Sequence, residues 1–497
     1  MSRVLQAVRS YAESCPDAIA FESYDVQLKY ADLPDTIDVV SASIGNLDVR
    51  VAALIADNTP TWAIADLALL QAGIPLIPVP HFFTAGQISH LIHSAGIDAI
   101  FTDVPEQVLN ILQELDLKHA DPVSISADQQ QLYCFRLPGS ESAYPEGCAK
   151  VTFTSGSTGE PKGVCLSRQV MDTVATSLVD VTGANRHDRH LSLLPYATLL
   201  ENIGGIYASL LAGATVLSPS LAAVGLSGSS GLDVQRFVTM LIQSRATSCI
   251  MIPQMLHALV AAVEAGAPKP EKLRLIAVGG APVSQSLLSR AEKLGLPVFE
   301  GYGLSEASSV VAVNRPGACK SGSVGKLLPH VSVCFAEDGE ILVKGGLFSG
   351  YLGDAPFKGE YWPTGDIGFM DDEGFLYLSG RKKHIFITAF GRNVSPEWVE
   401  RELMIEPAIA QCCVFGEARP FNVAVVVPRQ GNEEVELSKA IEEANKRLPD
   451  YAVVSKWLIA DEPFSIGNGL WTGTGRSRRQ HIFAAYEDQM NALYQEC

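Results

Sequence analysis

The amino-acid sequence predicts an α/β protein in two parts: a large N-terminal domain with mixed, largely parallel sheets and helices, and a small α+β C-terminal domain. The chain has 497 residues, and single hydrophobic cores stop growing at about 250–300 residues. Short apolar runs without polar alternation, such as residues 51–55, alternate with segments of helical periodicity. This pattern is typical of parallel strands buried on both faces. Apolar runs at 411–416 and 423–427, followed by a helical segment at 434–447, predict the smaller domain.

The predicted elements of the first hundred residues begin with a helix and a hairpin. Residues 5–15 have the spacing of an amphipathic helix, and Phe21 together with residues 28–30 predicts the hairpin. Strand–helix–strand units follow, with Thr84 as a helix N-cap and Gly73 as a helix stop. The predicted segments of these units are strands 51–55, 75–78 and 99–101 and helices 62–71 and 84–94.

Composition excludes several classes of protein. The net charge of −18 argues against nucleic acid or an anionic membrane surface as a general partner. The 10 cysteines are scattered without a CxxC pair, which favours reduced, buried thiols in a cytoplasmic protein over a disulfide framework or a zinc site. Residues 1–17 carry interspersed charges, so no secretory signal is predicted.

One long uncharged segment, residues 202–231, has two interpretations. Its length would allow it to span a bilayer. Its many Gly and Ser residues, Pro219 and the lack of basic flanks favour a different arrangement. We predict a buried helix over 203–211, a stop at Gly213 and a short strand over 215–217, and therefore no transmembrane segment.

The most informative stretch is VTFTSGSTGEPKGV at residues 151–164. Glycines let the backbone approach a ligand closely, and successive N–H groups and hydroxyls can surround phosphate oxygens. Lys162 would add a positive charge. The stretch is not a Walker A loop, because Pro161 stands in place of the second glycine and Gly163 follows the lysine. A flexible surface loop is the alternative, but the strand-like flanks favour a phosphate site.

This stretch closely resembles the phosphate-binding signature of the adenylate-forming (AMP-binding) superfamily. Further family motifs follow in the family's order: GGAP at 279–282, YGLSE at 302–306, TGD at 364–366 and GRKK at 380–383. The resemblance covers nearly the whole chain and is closest to fatty acyl-CoA synthetases. It implies a nucleotide-binding site that consists of Thr154, Ser155, Gly156, Ser157, Thr158, Gly159, Lys162, Gly280, Ala281, Pro282, Glu300, Gly301, Tyr302, Gly303, Ser305, Asp366 and Arg381.

The resemblance also implies individual roles in this site. The ring of Tyr302 would pack against adenine, and the Ser305 hydroxyl would face the α-phosphate. Glu306 would bind Mg²⁺, a hard cation that prefers oxygen ligands. Asp366 would accept both ribose hydroxyls as a bidentate acceptor, and Arg381 would contact the ribose.

Simpler interpretations exist for three of these motifs when each is taken alone. Residues 279–282 fit an ordinary strand-to-helix turn. Asp366 after Thr-Gly fits a carboxylate that caps its own backbone. Residues 381–383 fit a basic surface cluster.

The segment 191–202 corresponds to the family segment beside the acyl pocket. It offers no Asp that could hold an ammonium group, which argues against an amino-acid substrate. Its apolar character favours a fatty or an aryl acid. The chain departs from the family at Thr198, where many acyl-CoA synthetases carry His or an aromatic residue. The predicted pocket residues are Tyr196, Ala197, Thr198, Gly279 and Gly303.

The family comparison predicts the domain boundary between residues 380 and 381. It gives an AMP-binding domain over 1–380 and a lid domain over 381–497. Lys383 falls at the family's hinge, about which the lid rotates between the two half-reactions. Residues 389–400 resemble the loop that lines the thiol tunnel, with Ser395 as N-cap and Pro396 at the first helical position.

A departure from the family pattern occurs at Arg476. The family carries a Lys there, which bridges the substrate carboxylate and the α-phosphate. A guanidinium keeps the positive charge but is a planar fork on a different stem. The predicted catalytic residues are Lys162, Ser305, Glu306 and Arg476.

The resemblance implies that ATP and Mg²⁺ activate a carboxylic acid to acyl-AMP. The acyl group would then pass to the thiol of coenzyme A, or to the pantetheine of an acyl carrier protein. The expected protein is a monomer or a homodimer. A nucleotide-binding pseudoenzyme is the alternative, because Arg476 replaces the usual lysine.

Overall fold

The computed structural model describes residues 2–80, 83–127, 130–154, 161–228, 231–429, 434–472 and 476–495. In these ranges the chain forms a large N-terminal domain with mixed parallel and antiparallel sheets, and a smaller C-terminal domain. The predicted α/β class with two domains is confirmed. The exact boundary at residue 380 stays a prediction.

The largest sheet of the N-terminal domain has nine strands, parallel through its centre and antiparallel at both edges. Its strands, in spatial order, are Lys326–Leu327, Ala312–Val313, Val298–Tyr302, Leu275–Val278, Ser248–Met251, Arg189–Leu191, Thr215–Leu217, Ile19–Glu22 and Gln27–Lys29. The antiparallel edge pair Ile19–Glu22 and Gln27–Lys29 confirms the predicted hairpin.

A second sheet of eight strands has a parallel centre of four. Its strands, in spatial order, are Gly350–Tyr351, Lys162–Ser167, Cys148–Thr154, Leu76–Pro78, Ala52–Ile55, Ala99–Thr102, Gln130–Arg136 and Val123–Ala127. All four residues of Ala52–Ile55 are buried, as expected for a central strand covered on both faces.

Smaller sheets complete the fold. An antiparallel sheet of four strands contains Ser332–Phe335, Glu340–Lys344, Trp362–Met370 and Leu376–Arg381. The C-terminal sheet contains Ile409–Phe415, Asn422–Pro428 and Val454–Ile459. Two short pairs are Leu226–Ser227 with Gly231–Leu232, and Phe386–Ile387 with Asn393–Val394.

Helices cover these sheets. The helices are Arg3–Ser14, Leu33–Gly45, Pro60–Ala72, Ala85–Ala95, Pro105–Glu114, Arg168–Thr182, Glu201–Tyr207 (π), Ala208–Leu211, Leu221–Val224, Val234–Gln243, Pro253–Glu264, Gln285–Lys293, Ser305–Ala307 (3₁₀), Pro396–Leu403, Glu434–Asn445 and Arg479–Gln495.

Local signals in the sequence explain several helix ends. Helix Pro60–Ala72 ends at Gly73, whose φ of 74° is left-handed, a conformation that glycine adopts at little cost. Thr84 caps Ala85–Ala95 in a reciprocal capping box with Gln87. Both of these predictions are confirmed.

The predicted helix over 203–211 differs in the structure. The chain forms a π-helix over Glu201–Tyr207 and continues as the α-helix Ala208–Leu211. The buried Glu201 carboxylate lies against His190 here, and a Cβ on Gly205 would lie 2.8 Å from His190 Nε2. The glycine therefore permits the buried polar contact. Among the described helices, none is long and apolar enough to cross a membrane.

Ser395 shows a second difference from prediction. It stands at the N-cap position of Pro396–Leu403, but its side chain does not bond to the helix backbone. Its hydroxyl instead donates to Glu397 Oε2 at 3.3 Å.

Six of the nine described cysteines are buried, whereas Cys15 and Cys334 are half-buried and Cys319 is exposed. All nine described cysteines are free thiols. Cys412 belongs to the core on one face of the C-terminal sheet and Cys413 to the core on the other, so the two neighbours point apart. The described ranges contain no group of three His, Cys, Asp or Glu residues that could hold a metal ion.

Candidate active site

A cleft of about 2190 Å³ lies where strands of the nine-stranded sheet end and residues of the C-terminal domain approach them. Ligands in open α/β sheets bind at such carboxyl ends. Residues 155–159 of the predicted phosphate loop lie outside the described residues. The predicted residues on the cleft wall are Thr154, Lys162, Ala197, Thr198, Gly279, Gly280, Ala281, Pro282, Glu300, Gly301, Tyr302, Gly303, Ser305, Glu306, Asp366, Arg381, Lys383 and Arg476.

Two neighbouring parallel strands form the floor of the predicted adenine edge. Leu275–Val278 and Val298–Tyr302 pair in register, with Val278 opposite Glu300. Gly303 follows the second strand, and a Cβ there would lie 1.5 Å from the Ser309 carbonyl oxygen. Glycine is therefore required by the close approach of two backbone segments.

The predicted ribose site consists of two buried side chains, Tyr302 and Asp366, and the more exposed side chain of Arg381. The Tyr302 hydroxyl donates to Asp366 Oδ2 at 2.6 Å, and Arg381 Nε lies 2.8 Å from Asp366 Oδ1. The strands Trp362–Met370 and Leu376–Arg381 place Asp366 directly opposite Arg381. Burial raises the pKa of Asp366, although Arg381 and Tyr302 act against that rise. The triad holds a carboxylate at the cleft wall in a fixed orientation.

A second acidic position lies next to the phosphate loop. Glu306 Oε1 accepts a hydrogen bond of 2.8 Å from the Tyr351 hydroxyl. Lys162 Nζ lies 5.1 Å from the centre of the Tyr351 ring, a favourable position for a cation over an aromatic face. Tyr351 thus connects the predicted metal ligand with the predicted phosphate lysine. A carboxylate facing the phosphate loop suits Mg²⁺, which takes oxygen ligands from carboxylates and substrate phosphates.

Arg476 reaches this site from the C-terminal domain. Its Nη2 donates to the Gly280 carbonyl oxygen at 2.9 Å. Thr472 holds the backbone of Arg476, since Thr472 N donates to the Arg476 carbonyl at 2.7 Å and Arg476 N donates to Thr472 Oγ1 at 2.9 Å. The guanidinium group is solvent-exposed in the cleft. The C-terminal motif and the GGAP edge therefore meet in the structure.

Additional C-terminal residues line the cleft without any signal in the sequence. His384 and Glu397 form a hydrogen-bonded pair. Burial alone would raise the pKa of Glu397, but the His384 hydrogen bond and the Arg479 charge lower it. Isolated His and Glu residues in a lid are usually solvated, so only the fold reveals that these two meet.

The acyl-pocket segment is held in place by Asn58. Its Nδ2 donates to the Leu194 carbonyl at 2.8 Å, and its Oδ1 accepts from the Tyr196 backbone N–H at 2.8 Å. The Tyr196 side chain, predicted to line the pocket, is 1% exposed; its ring packs against Trp62 and its hydroxyl lies 2.5 Å from Ser218 Oγ. Tyr196 therefore supports the wall from behind, whereas Ala197 and Thr198 line the cleft.

Residues along one face of the nine-stranded sheet also line the cleft, and we refer to this part of the cleft as the channel. His190 pairs in register with Ser248, Ser248 with Leu275, and Ile250 with Ala277. Residues paired across neighbouring strands face the same side of a sheet, as do residues two apart along one strand. The five residues just named therefore share one face, and all of them line the cleft. The opposite wall contains Leu178, Thr182, Gly204 and Ala208. The channel thus has mostly apolar or small walls.

Buried Glu300 gives a test of this geometry through stability. Burial raises the pKa of its carboxyl to about 7, although the hydrogen bond from the Val283 N–H and the charge of Arg401 both lower this pKa. A carboxyl whose pKa is raised by folding binds its proton more tightly when folded, so stability falls as pH rises from about 4.5 to about 7. We expect Glu300→Gln to remove on the order of 3 kcal/mol of this pH-dependent loss.

Urea denaturation of both proteins at about pH 5 and about pH 8 measures the effect. The wild type is expected to lose more stability between these pH values than the variant. Equal losses in both proteins would show that the Glu300 carboxyl titrates normally.

Comparison with known proteins places this site in a family. Residues 8–352 match the family model described as AMP-binding enzyme, and residues 383–497 match the AMP-binding enzyme C-terminal domain. The chain therefore belongs to the family of AMP-binding enzymes. It is an AMP-forming acid–thiol ligase of the acyl- or aryl-CoA ligase class.

Similar proteins act on different acids. The chain is 26% identical to the long-chain-fatty-acid–CoA ligase FadD15 of Mycobacterium bovis, over 87% of this chain and 86% of that protein. Anthranilate CoA ligase AuaEII in complex with anthranoyl-AMP shares the fold, with a TM-score of 0.80, 17% identity and coverage of 97% and 96%. Bacillus subtilis o-succinylbenzoate coenzyme A synthetase with ATP and magnesium gives a TM-score of 0.75, 23% identity and coverage of 97% and 99%.

Proposed function

We propose that the protein adenylates a fatty acid and transfers the acyl group to coenzyme A. The observation that carries this proposal is the channel along the nine-stranded sheet. From Gly279 to Arg274 it follows the strand Leu275–Val278 and one residue at each end, five residue steps that span about 16 Å at roughly 3.3 Å per step. An alkyl chain would fill this length, whereas a single aromatic ring would leave most of it empty.

The channel walls support an alkyl chain chemically. Leu178, Ile250, Leu275 and Ala277 present hydrocarbon surface, and burying apolar chain against such surface is favourable by about 25 cal/mol per Å². The 26% identity to a long-chain-fatty-acid–CoA ligase agrees with this chemistry.

In the first half-reaction a carboxylate oxygen of the acid would attack the α-phosphorus of ATP, the bond from that phosphorus to the oxygen bridging the β-phosphate would break, and pyrophosphate would leave. The acid carboxylate would enter beside Thr198 and Gly303, and Asp366 would hold the ribose hydroxyls. Lys162 and Arg476 would place positive charge where phosphate charge develops, which is the largest contribution to such catalysis. Mg²⁺ bound at Glu306 would supply further charge neutralisation to the phosphates.

The second half-reaction transfers the acyl group to a thiol. The thiol sulfur attacks the acyl carbon, the bond to AMP breaks, and AMP leaves. We propose Lys383 as the hinge for the lid movement that admits the thiol, and coenzyme A as its carrier. Incubation with dodecanoate or benzoate and coenzyme A tests the substrate class: faster thioester formation from dodecanoate is expected, and faster formation from benzoate would contradict the proposal.

Glu306 gives a separate test of the metal site. Glu306→Gln should retain the contact with Tyr351 and lose the charge that suits a hard cation. We expect the magnesium concentration for half-maximal turnover to rise by about tenfold, which corresponds to about 1.4 kcal/mol. A magnesium titration of thioester formation measures this rise. An unchanged magnesium requirement would show that Glu306 does not bind the metal. Glu360→Gln is the control, because Glu360 is an exposed acid paired with Lys344 and its change should leave the magnesium requirement as in the wild type.

A further inference from the structure

The distal end of the channel is formed by residues that no part of the proposed chemistry uses. Thr182, Ala184, Asp188 and Arg274 line the cleft although they lie at the amino ends of the strands, opposite the nucleotide site. The two charged residues stand at the end of an otherwise mostly apolar passage. This position requires an explanation.

Asp188 and Arg274 form a multiply bonded pair. Arg274 Nε lies 2.7 Å from Asp188 Oδ1, and Arg274 Nη2 lies 2.5 Å from Asp188 Oδ2. Thr247 Oγ1 donates to the same carboxylate at 2.8 Å. A bidentate arginine–carboxylate pair has a fixed geometry, so the pair is a rigid structure.

The guanidinium also binds the neighbouring helix. Arg274 Nη1 donates to the Thr182 carbonyl at 3.0 Å, and Nη2 lies 3.3 Å from the Gly183 carbonyl. These carbonyls end the helix Arg168–Thr182, which supplies the opposite wall of the channel. Arg274 therefore spans the passage from the sheet to the helix.

The exposure of the pair shows which way each residue faces. The Asp188 side chain is 7% exposed, whereas the Arg274 side chain is 35% exposed. The carboxylate is thus covered, and the guanidinium lies between the channel and solvent. An alkyl chain that advanced past this point would have to separate the two and leave a buried carboxylate unpaired, which is unfavourable.

We propose that the Asp188–Arg274 pair closes the distal end of the acyl channel and sets the longest chain that the enzyme accepts. Arg274 is then a specificity-determining residue that acts at the far end of the substrate from the reacting carboxylate. This inference rests on the proposed activation of fatty acids.

The test compares chain-length profiles. The kcat/KM for thioester formation is measured with saturated acids from octanoate to eicosanoate, for the wild type and Arg274→Ala. The wild type should show a limit beyond which kcat/KM falls. Arg274→Ala should move this limit to longer acids. For the first acid that the wild type excludes, the ratio of its kcat/KM to that of octanoate should rise by roughly tenfold, a typical effect of pocket fit.

The ratio separates the proposal from a purely structural role. A loss of folded enzyme lowers kcat/KM for every acid equally and leaves the ratio unchanged. If Arg274→Ala does not fold, Arg274→Gln removes the charge with less loss of side-chain volume. It should also move the chain-length limit to longer acids. Arg9→Ala breaks another Arg–Asp pair, with Asp38 at 2.6 Å between two helices, and should keep the wild-type limit.

Failure of the two proposals would look different. A wild type that uses fatty acids while Arg274→Ala and Arg274→Gln keep the same limit overturns the role of the pair and leaves the proposed function intact. A wild type that activates only short aryl acids overturns the proposed function, and with it the inference.

Discussion

Replacing Arg476 with alanine is expected to lower the rate of adenylate formation by about 10²–10³-fold, the typical cost of removing one stabilising donor from a reacting centre. The loop around Thr472 holds this residue at the Gly280 edge, where it is the cation that the C-terminal domain brings to the adenine edge. Acid-dependent exchange between pyrophosphate and ATP measures the first half-reaction alone.

Arg476→Lys provides the matched variant. It keeps the charge and restores the residue that the family pattern carries, so we expect it to retain or raise the exchange rate. Activity in Arg476→Ala equal to wild type would show that the residue does not act in the first step. Loss of exchange in Arg476→Lys would show that the two residues do not occupy equivalent positions.

Replacing Asp366 with alanine should raise the KM for ATP by about 10- to 100-fold. A hydrogen bond to a charged group contributes about 1.5–3 kcal/mol, and the same change leaves Tyr302 and Arg381 without their shared acceptor. The KM for the acid should change much less, because Asp366 belongs to the nucleotide half of the site.

Asp338→Ala is the control for this change. Asp338 is an exposed acid in the same domain, paired with Lys382 at 2.5 Å, and its removal should leave the KM for ATP unchanged. Equal effects of Asp366→Ala on the KM values for ATP and for the acid would contradict a specific role at the ribose.

The sequence predicts those parts of the fold that local chemistry determines. Gly73 and Thr84 mark helix ends because a left-handed conformation and a side-chain acceptor are needed there. The apolar strand Ala52–Ile55 is recognisable because both of its faces are covered. Motifs with close backbone approaches are equally visible, as the contact between Gly303 and Ser309 illustrates.

Features that depend on distant partners could not be predicted from the sequence. The π-helix at Glu201–Tyr207 is accompanied by a buried contact with His190, which only the sheet brings near. Tyr351 reaches Glu306 from a separate strand. Tyr196 turns toward Trp62 because that ring comes from another part of the fold. The sequence of an apolar segment does not indicate whether an aromatic side chain in it will face the cleft or the protein interior.

The channel illustrates the same limit for substrate preference. An apolar segment around Thr198 favours a fatty or an aryl acid equally well in sequence. The register of His190, Ser248 and Leu275 places the three on one sheet face, and the proposed preference for an alkyl chain depends on the length of the cleft along that face. The Asp188–Arg274 pair joins two strand ends that are far apart in the chain.

The sequence alone also allows a pseudoenzyme that binds nucleotide without chemistry, since a fold can be retained after its activity is lost. The position of Arg476 argues for activity, because the cation reaches the GGAP edge from the C-terminal domain. Binding of ATP does not separate the two descriptions, whereas formation of the adenylate does.

The most direct measurement is therefore acid-dependent pyrophosphate–ATP exchange by the wild-type protein with a panel of saturated fatty, aryl and amino acids, in the absence of coenzyme A. We expect exchange with fatty acids, weaker exchange with aryl acids and none above background with amino acids. Exchange with no acid in the panel, under conditions in which ATP binds, would contradict adenylation as the function of this site.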